Sequence, residues 1–486
     1  MRFLYSPTVA LIGVWVAFNP AFAQNLAPAP TPCQINGVTQ TVSAVGDRNA
    51  DTTNIQNAMN ACTTVGAQLG KPLYVALQPG NYIIKPITMR SYVFLLLPAG
   101  AVLNASTVTA DYQIAGSGTC GGIASSSSGC KPLISSGNSG DAVANNTGII
   151  GSRAVGIMGG TIEGHGWDIT SNGSSWWAIA DTANAQGKKQ ICPRLIEFDN
   201  GVNVLIRDVT LQNSPYFHLV FSQCTNVTEL NLKIQSPTPD HPSTARNTDG
   251  TDVISSAFVS ITNSHIISGD DNIAITAANK GASHDITIQN CHFGKGHGLS
   301  IGSGTNGGVS NVHAKQIYFN GTDNGIRFKS DSSEGGDVSN IYYDTLCMKA
   351  INTFSLSSKN GAIDLDTQYS STTGTLYPYF HNVYFHDIYS DVASATINGT
   401  VWDNVRLNGA GGNRPMANLF FYNVNFSLPK TAAPVSNTDL TTTLVYSNSL
   451  NLTIPGLATT PAPAIDPAFN EAANSNLAGY CQTYNN

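Results

Sequence analysis

Four short polar segments hold most of the residues that could do chemistry: Asn247-Thr248-Asp249-Gly250, Asp270-Asp271, Gly296-His297-Gly298 and Arg327-Phe328-Lys329. Carboxyl groups can give and take protons, an imidazole can tune them, and an arginine with a lysine can hold an anion. Only 11% of the 486 residues are charged, so three carboxylates, one imidazole and two fixed cations in so short a stretch are conspicuous. Singly, each segment has a plainer reading. The aspartate pair suits a solvated bend or a calcium site, Gly-His-Gly a turn, and Arg-x-Lys a charged strand face. Asp252, in the same run as Asp249, reads as a turn residue. A framework that brings the four segments together would decide between these readings.

The framework is a repeat. Hydrophobic residues recur two, five and seven positions after an anchor: Val155, Ile157, Gly160, Ile162, then Val204, Ile206, Val209, Leu211, then Val227, Glu229, Leu232, Ile234. Further anchors are Val259, Ile286, Val312, Ile341, Val383 and Leu419, and from Val204 to Ile341 their spacings are 23, 32, 27, 26 and 29 residues. Those are solenoid periods. Two apolar positions two apart make a strand, and the odd step to the third means that the chain has turned a corner. An asparagine precedes six of the anchors (Asn203, Asn226, Asn311, Asn340, Asn382 and Asn418), which suits stacked bends bonded along an axis. The expected fold is all-β, a single-domain right-handed parallel β-helix, the hand following from the rule for parallel connections.

On this frame Asp270 and His297 stand 11 residues after their anchors on neighbouring coils, so they should lie one above the other. Asp323 and Asn324 hold the comparable place one coil on. Ile273 and Ile275, Leu299 and Ile301, and Ile326 and Phe328 then form inward strands, and alternation turns Arg327 and Lys329 outward onto the wall that carries the carboxylates. Asp249 falls one coil earlier, after a turn lengthened by residues 236–246.

Placed in this way, the four segments resemble, in order, the signature motifs of the polygalacturonase family of glycoside hydrolases (family 28). The resemblance extends from about Val45 to at least residue 430. Two positions depart from it: Phe328 stands where isoleucine is usual, and Asn272 where fungal members often carry a cysteine, which leaves Cys291 without that partner. The resemblance implies hydrolysis of α-1,4-D-galacturonosidic bonds of pectin or polygalacturonate with inversion. Such chemistry needs an acid and a base carboxyl roughly 6.5–9.5 Å apart. Asp270 would be the general acid, Asp249 and Asp271 would activate water, and His297 would tune the acid. Arg327 and Lys329 would bind a uronate carboxylate, Asn247 would contact substrate or shape its turn, and Tyr369 matches a stacking tyrosine of the family. No cofactor and no metal are implied.

The rest of the chain agrees with export. Arg2, an apolar run over residues 9–18 and Ala21-Phe22-Ala23 read as a signal peptide over residues 1–23. Residues 24–44 read as an N-terminal linker and 45–486 as the enzyme domain. Ile55, Ala58, Met59 and Cys62 mark a short capping helix, with Asp51, Thr52 or Thr53 as N-cap. Nine cysteines leave at least one unpaired; Cys33 with Cys62 and Cys120 with Cys130 are the local pairs. His218, His241, His265, His284 and His313 read as structural or exposed. A net charge of −7 opposes nucleic acid binding, and no stretch after the signal spans a membrane. The expectation is a secreted, endo-acting monomer. Alternatives are an exo-polygalacturonase, a rhamnogalacturonan hydrolase, a calcium-dependent pectate lyase, or a non-catalytic polysaccharide-binding solenoid.

Overall fold

The computed structural model describes residues 29–483, apart from 137–142, 145–149, 278–280, 352–360, 371–372, 392–395, 398–399, 402–404, 411–412, 428–429 and 432–434. The proposed signal peptide lies outside the described residues. The anchors read from sequence pair in register: Val155 with Val204, then Val227, Val259, Ile286, Val312, Ile341, Val383 and Leu419, all in parallel. The chain is therefore a right-handed parallel β-helix.

The corners explain the odd step in the repeat. The residue before each anchor has positive φ, whether it is asparagine (Asn203, Asn226, Asn311, Asn340, Asn382, Asn418), Asp285, Ala154 or even Phe258. A second left-handed residue sits four places after the anchors, at Asp208, Asn231, Asn263, Asn290, Gln316, Thr345, Asp387 and Asn423. Asparagine tolerates this conformation better than most side chains. Both rows are bonded from coil to coil. In the first, Asn418 donates to Asn382 at 2.8 Å and Asn382 to Asn340 at 3.3 Å. In the second, Asn231 donates to Asp208 at 2.7 Å and Asn290 to Asn263 at 2.7 Å. The second row was not recognised in the sequence because its residue types vary.

Inward residues stack into one core, in which Phe293 lies edge-on to Phe319 at 5.3 Å and Tyr343, Phe385 and Phe421 stack in line. Burying each such side chain contributes about 1.5–3 kcal/mol. The wall that carries the polar segments is an all-parallel sheet. Eight of its strands are β1 (Ile196–Asp199), β2 (Leu219–Ser222), β3 (Thr251–Ile254), β4 (Ile273–Thr276), β5 (Leu299–Gly302), β6 (Ile326–Lys329), β7 (Ile363–Asp366) and β8 (Val405–Asn408).

The N-terminal region differs from expectation. Helix α1 (Arg48–Leu69) is 22 residues long, not short. Its N-cap is Asp47, which accepts from Asn49 and Ala50 N–H at 3.0 and 2.8 Å. Asp51, expected as a cap, is buried and instead accepts from Val45, Gly46 and Ile83 N–H, stapling the helix to the first coil. Part of the expected linker also belongs to the solenoid: Thr31–Pro32 and Thr41–Val42 both pair with Leu73–Leu77. Disulfides Cys33–Cys62 and Cys120–Cys130 are present, and Cys347–Cys481, which sequence left open, ties helix α2 (Leu477–Thr483) to a coil. Cys192, Cys224 and Cys291 are free and buried. Among the described residues no helix is long and apolar enough to cross a membrane.

One inward position carries a charge-bearing side chain. Glu229 is fully buried between Ile206 and Ile261 in the register, accepts from the Thr251 hydroxyl at 2.9 Å, and is pushed by burial from 4.5 to about 7. The native state keeps a proton that the unfolded chain has lost, so stability falls as pH rises from about 4.5 to about 7. Glu229→Gln removes that loss and keeps the bond from Thr251. The variant is expected to match the parent near pH 4 and to exceed it by up to about 3 kcal/mol near pH 8. Thermal unfolding across that range checks the point; an unchanged slope with pH would contradict it.

Candidate active site

The strand register sets the site. Asp252, Ala274, Ser300, Arg327, Asp364 and Arg406 are outward partners on β3 to β8, with Lys329, Asp366 and Asn408 in the next outward row. Just before these strands the chain turns at each coil, and those turns carry Asn247, Asp249, Asp270, Asp271 and His297. The His297 N–H donates to the Asp270 carbonyl at 2.8 Å, so the two residues occupy successive rungs. Glycines on either side of His297 are required by close approach: a Cβ at Gly298 would lie 2.2 Å from the Asn324 carbonyl, and one at Gly296 2.5 Å from Asn272.

Asp270 and Asp271 are adjacent in chain but differently surrounded. His297 Nδ1 lies 2.9 Å from Asp270 Oδ1, and Asn247 Nδ2 donates to Asp270 Oδ2 at 2.9 Å. Asp271 faces the other way. Lys329 Nζ is 2.5 Å from its Oδ2, Ser300 Oγ donates to its Oδ1 at 2.7 Å, and Arg327 is 3.5 Å away. Tyr369 is brought to the same place, its ring 5.2 Å from the Arg327 guanidinium and 5.7 Å from the Lys329 ammonium. On the far side of His297, Asp323 Oδ2 is 3.4 Å from Nε2.

Asp249 is buried, its Oδ1 has no hydrogen-bond partner among the described residues, and its carbonyl is held by His218, whose N–H and Nδ1 both lie 2.9 Å from it. Burial is the largest influence on Asp249, and neighbouring Asp270, Asp252 and Asp271 add to it, so its carboxyl is held well above the usual range. Burial alone would raise Asp270 too, but His297, Lys329 and Arg327 more than reverse this and hold it below the usual range. Burial opposes a charged His297, and Asp270 and Asp271 outweigh it, so the imidazole is raised. The Asp270–His297 pair thus holds a proton on the histidine side. In this cluster the raised carboxyls are Asp249 and Asp252, and Asp270, expected as the acid, is the one held low.

Asp252 was read as a turn residue and is not one. It lies outward on β3, buried, and is pushed to about 8 by burial, with Arg194 opposing and Asp271 adding to the rise. The period-two alternation of β3 held the signal for it, since Thr251 and Val253 flank it as inward residues. Asn272 was noted only as a departure from the family pattern. It is buried, accepts from Gly298 N–H at 2.9 Å and donates to the Ile266 carbonyl at 3.0 Å, so it joins the Asp270-Asp271 turn to the His297 turn. Oxygen and nitrogen ligand atoms of Asp270, Asp271 and His297 come within 4.8 Å of one another. Lys329 and Arg327 stand beside the same group, on Asp271.

Buried acids beside fixed cations on one wall of a solenoid suit a carbohydrate-cleaving enzyme, and comparison with known proteins agrees. The family model for glycosyl hydrolases family 28 matches residues 134–444. A polygalacturonase from Ralstonia nicotianae is 34% identical over 407 residues, 76% of this chain and 72% of that protein. An endo-polygalacturonase from Pectobacterium carotovorum subsp. carotovorum is 32% identical over 421 residues, 85% of this chain and 92% of that protein. Among solved structures, the polygalacturonase from Erwinia carotovora ssp. carotovora superposes with a TM-score of 0.66 at 29% identity, covering 92% of this chain and 97% of that one. The chain belongs to glycosyl hydrolases family 28 and is a glycoside hydrolase.

Asn272 gives a test of the geometry. Asn272→Ala leaves the buried Gly298 N–H without its partner, at a cost of about 1–3 kcal/mol, while the Ile266 carbonyl keeps the Gly294 N–H. The melting temperature is expected to fall. The turnover number is expected to fall with it at temperatures where the variant is folded, because the His297 turn loses its tie to the Asp270 turn. Unchanged turnover in the folded variant would show that the tie has no part in the site.

Proposed function

We propose that the protein is a secreted polygalacturonase that hydrolyses α-1,4-D-galacturonosidic bonds of polygalacturonate with inversion, acting within the chain. The observation that carries this reading is the contrast between the two adjacent aspartates, Asp270 against His297 and Asp271 against Lys329. A uronate carboxylate is met by Arg327 in the bidentate manner suited to it and by Lys329 as a point charge. Tyr369 beside them offers a face for the sugar ring.

Substrate binding then prepares the acid. Lys329 and Arg327 are among the groups that hold Asp270 low. When their charge is balanced by a uronate carboxylate, Asp270 regains affinity for a proton, and the neighbouring imidazolium of His297 can supply it. Asp270 gives the proton to the leaving glycosidic oxygen as the bond to the anomeric carbon breaks. Asp249, in its ionised form, is the stronger base for its raised affinity for protons and takes a proton from water attacking the opposite face, with Asp271 orienting that water. Asn247 holds Asp270 in place from the other side.

The endo reading is supported by the likeness to the Pectobacterium endo-polygalacturonase. Residues 1–23 serve as the secretory signal, and the mature monomer starts at Gln24. On polygalacturonate, early products are expected to be mixed oligomers; galacturonate monomer from the first minutes would make the enzyme exo-acting.

Asp270→Asn is expected to lower the release of reducing ends by about 10²–10⁴-fold while polymer binding persists. Unchanged release would sink the mechanism, and unsaturated products that depend on added calcium would replace it with a lyase. Activity is also expected to fall as pH rises through the raised value of His297, because the Asp270–His297 pair then loses its proton. His297→Gln should abolish that alkaline limb in a pH–rate profile; a limb that survives the substitution belongs to another group.

A further inference from the structure

Beyond the corner from the cleft, on the wall whose strands lead into the Asp270 and His297 turns, side chains form a second column. Lys233, His265, His292 and Tyr318 are register partners on successive strands. The rings of His265 and His292 are 6.2 Å apart and those of His292 and Tyr318 5.7 Å. The loop of residues 236–246 stands beside the column and with it encloses a groove of about 550 Å³. Pro237, Pro242, His265, His292, Lys295 and Tyr318 line it, and Gln235 and Asn320, from coils at its two limits, add amide groups. None of the lining residues is acidic. Asp240, the one acid of the loop, lies 3.4 Å from His241 Nε2 and is not part of the lining.

In a chain of net charge −7 this is a local reversal of sign. The column spans three rung steps, roughly 14 Å at about 4.8 Å per step. With the groove it combines rings at rung spacing, two amides and the Lys295 ammonium, and so presents to a polymer a stacking surface beside a point charge. Flat amphipathic rings suit the mixed apolar and hydroxyl faces of sugars, and ammonium groups suit carboxylates.

We propose that this groove is a second binding site, separate from the cleft, for a polyuronate chain lying along the solenoid axis. It rests on the proposed substrate of the cleft. A polymer held there stays near the cleft at a raised effective concentration between cuts, whereas an oligomer that only fills the cleft gains nothing. Lys295 pairs with a uronate carboxylate, His265, His292 and Tyr318 carry the sugar faces, and Lys233, beside His265 in the register, meets the chain where it leaves the groove.

His265 and Lys295 are both exposed, so their replacement leaves the core untouched. The double variant His265→Ala, Lys295→Ala is compared with the parent in three measurements. These are steady-state kinetics on hexagalacturonate, kinetics on long polygalacturonate, and retardation in native gels containing polygalacturonate or, as a control, neutral galactan. The expected result is unchanged hexamer kinetics, a several-fold higher KM on the polymer, and weaker retardation by polygalacturonate, with galactan retarding neither protein. Polymer KM and retardation equal to the parent's overturn the proposal. So does a parallel change in the hexamer constants, which would assign the two residues to the cleft, or equal retardation by galactan. Failure of the parent to cut either substrate would instead overturn the proposed function of the cleft, and the gel comparison would still report on the groove.

Discussion

The parallel backbone ladder fixes neighbouring coils at about 4.8 Å, and everything chemical in the molecule depends on that spacing. Asp270 and His297 meet because each closes the same turn on successive rungs, one N–H bonded to the carbonyl of the other. Arg327 and Lys329 reach Asp271 because alternation along β6 points both outward while Phe328 fills the core between them. No single coil contains a site. The corners keep the rungs in phase, and the two rows of left-handed residues, bonded along the axis, are what turns the chain at the same place each time.

On that scaffold, burial and charge are set against each other. Asp249 and Asp252 are almost wholly withdrawn from solvent, which disfavours their ionised forms, while the charges of Lys329 and, for Asp252, Arg194 favour them. The outcome differs by residue and follows geometry. Asp270 lies against His297 and is held low; Asp249 and Asp252 form no ion pair among the described residues and are held high. A neighbouring arrangement on the same sheet shows the alternative: Arg406 bridges Asp364 at 2.8 Å and Asp366 at 2.7 Å, so that one guanidinium is held between two carboxylates. In the column around Asp270 the cations lean on Asp271 and remain within reach of an incoming carboxylate, which is what lets an anionic substrate alter the proton affinity of the acid.

Much of this was legible from residue spacing. Anchors two, five and seven apart gave every coil register from Val155 to Leu419, and with it the meeting of Asp270 and His297. What was hidden had physical causes. Asp252 sits in a run of turn-like residues, and only the strand alternation that starts at Thr251 shows it to be buried on the wall. Asp47 rather than Asp51 caps α1 because Asp51 is recruited by the backbone of residues 45, 46 and 83, a contact no local pattern encodes. Cys347 and Cys481 are separated by 134 residues, and their pairing depends on where the C-terminal segment returns to the solenoid. The proton distribution is hidden too, because it depends on which carboxyl the fold sets against His297, Lys329 and Arg327.

In the proposed mechanism the acid and water-activating carboxylates act from opposite faces of the scissile sugar, in a relation fixed by the rungs. The configuration of the new reducing end reports this directly. Proton NMR of the first product formed from polygalacturonate, read before mutarotation, is predicted to show the β-anomer accumulating ahead of the α. An α-anomer formed first would mean retention, a covalent intermediate and a different division of labour among Asp249, Asp270 and Asp271.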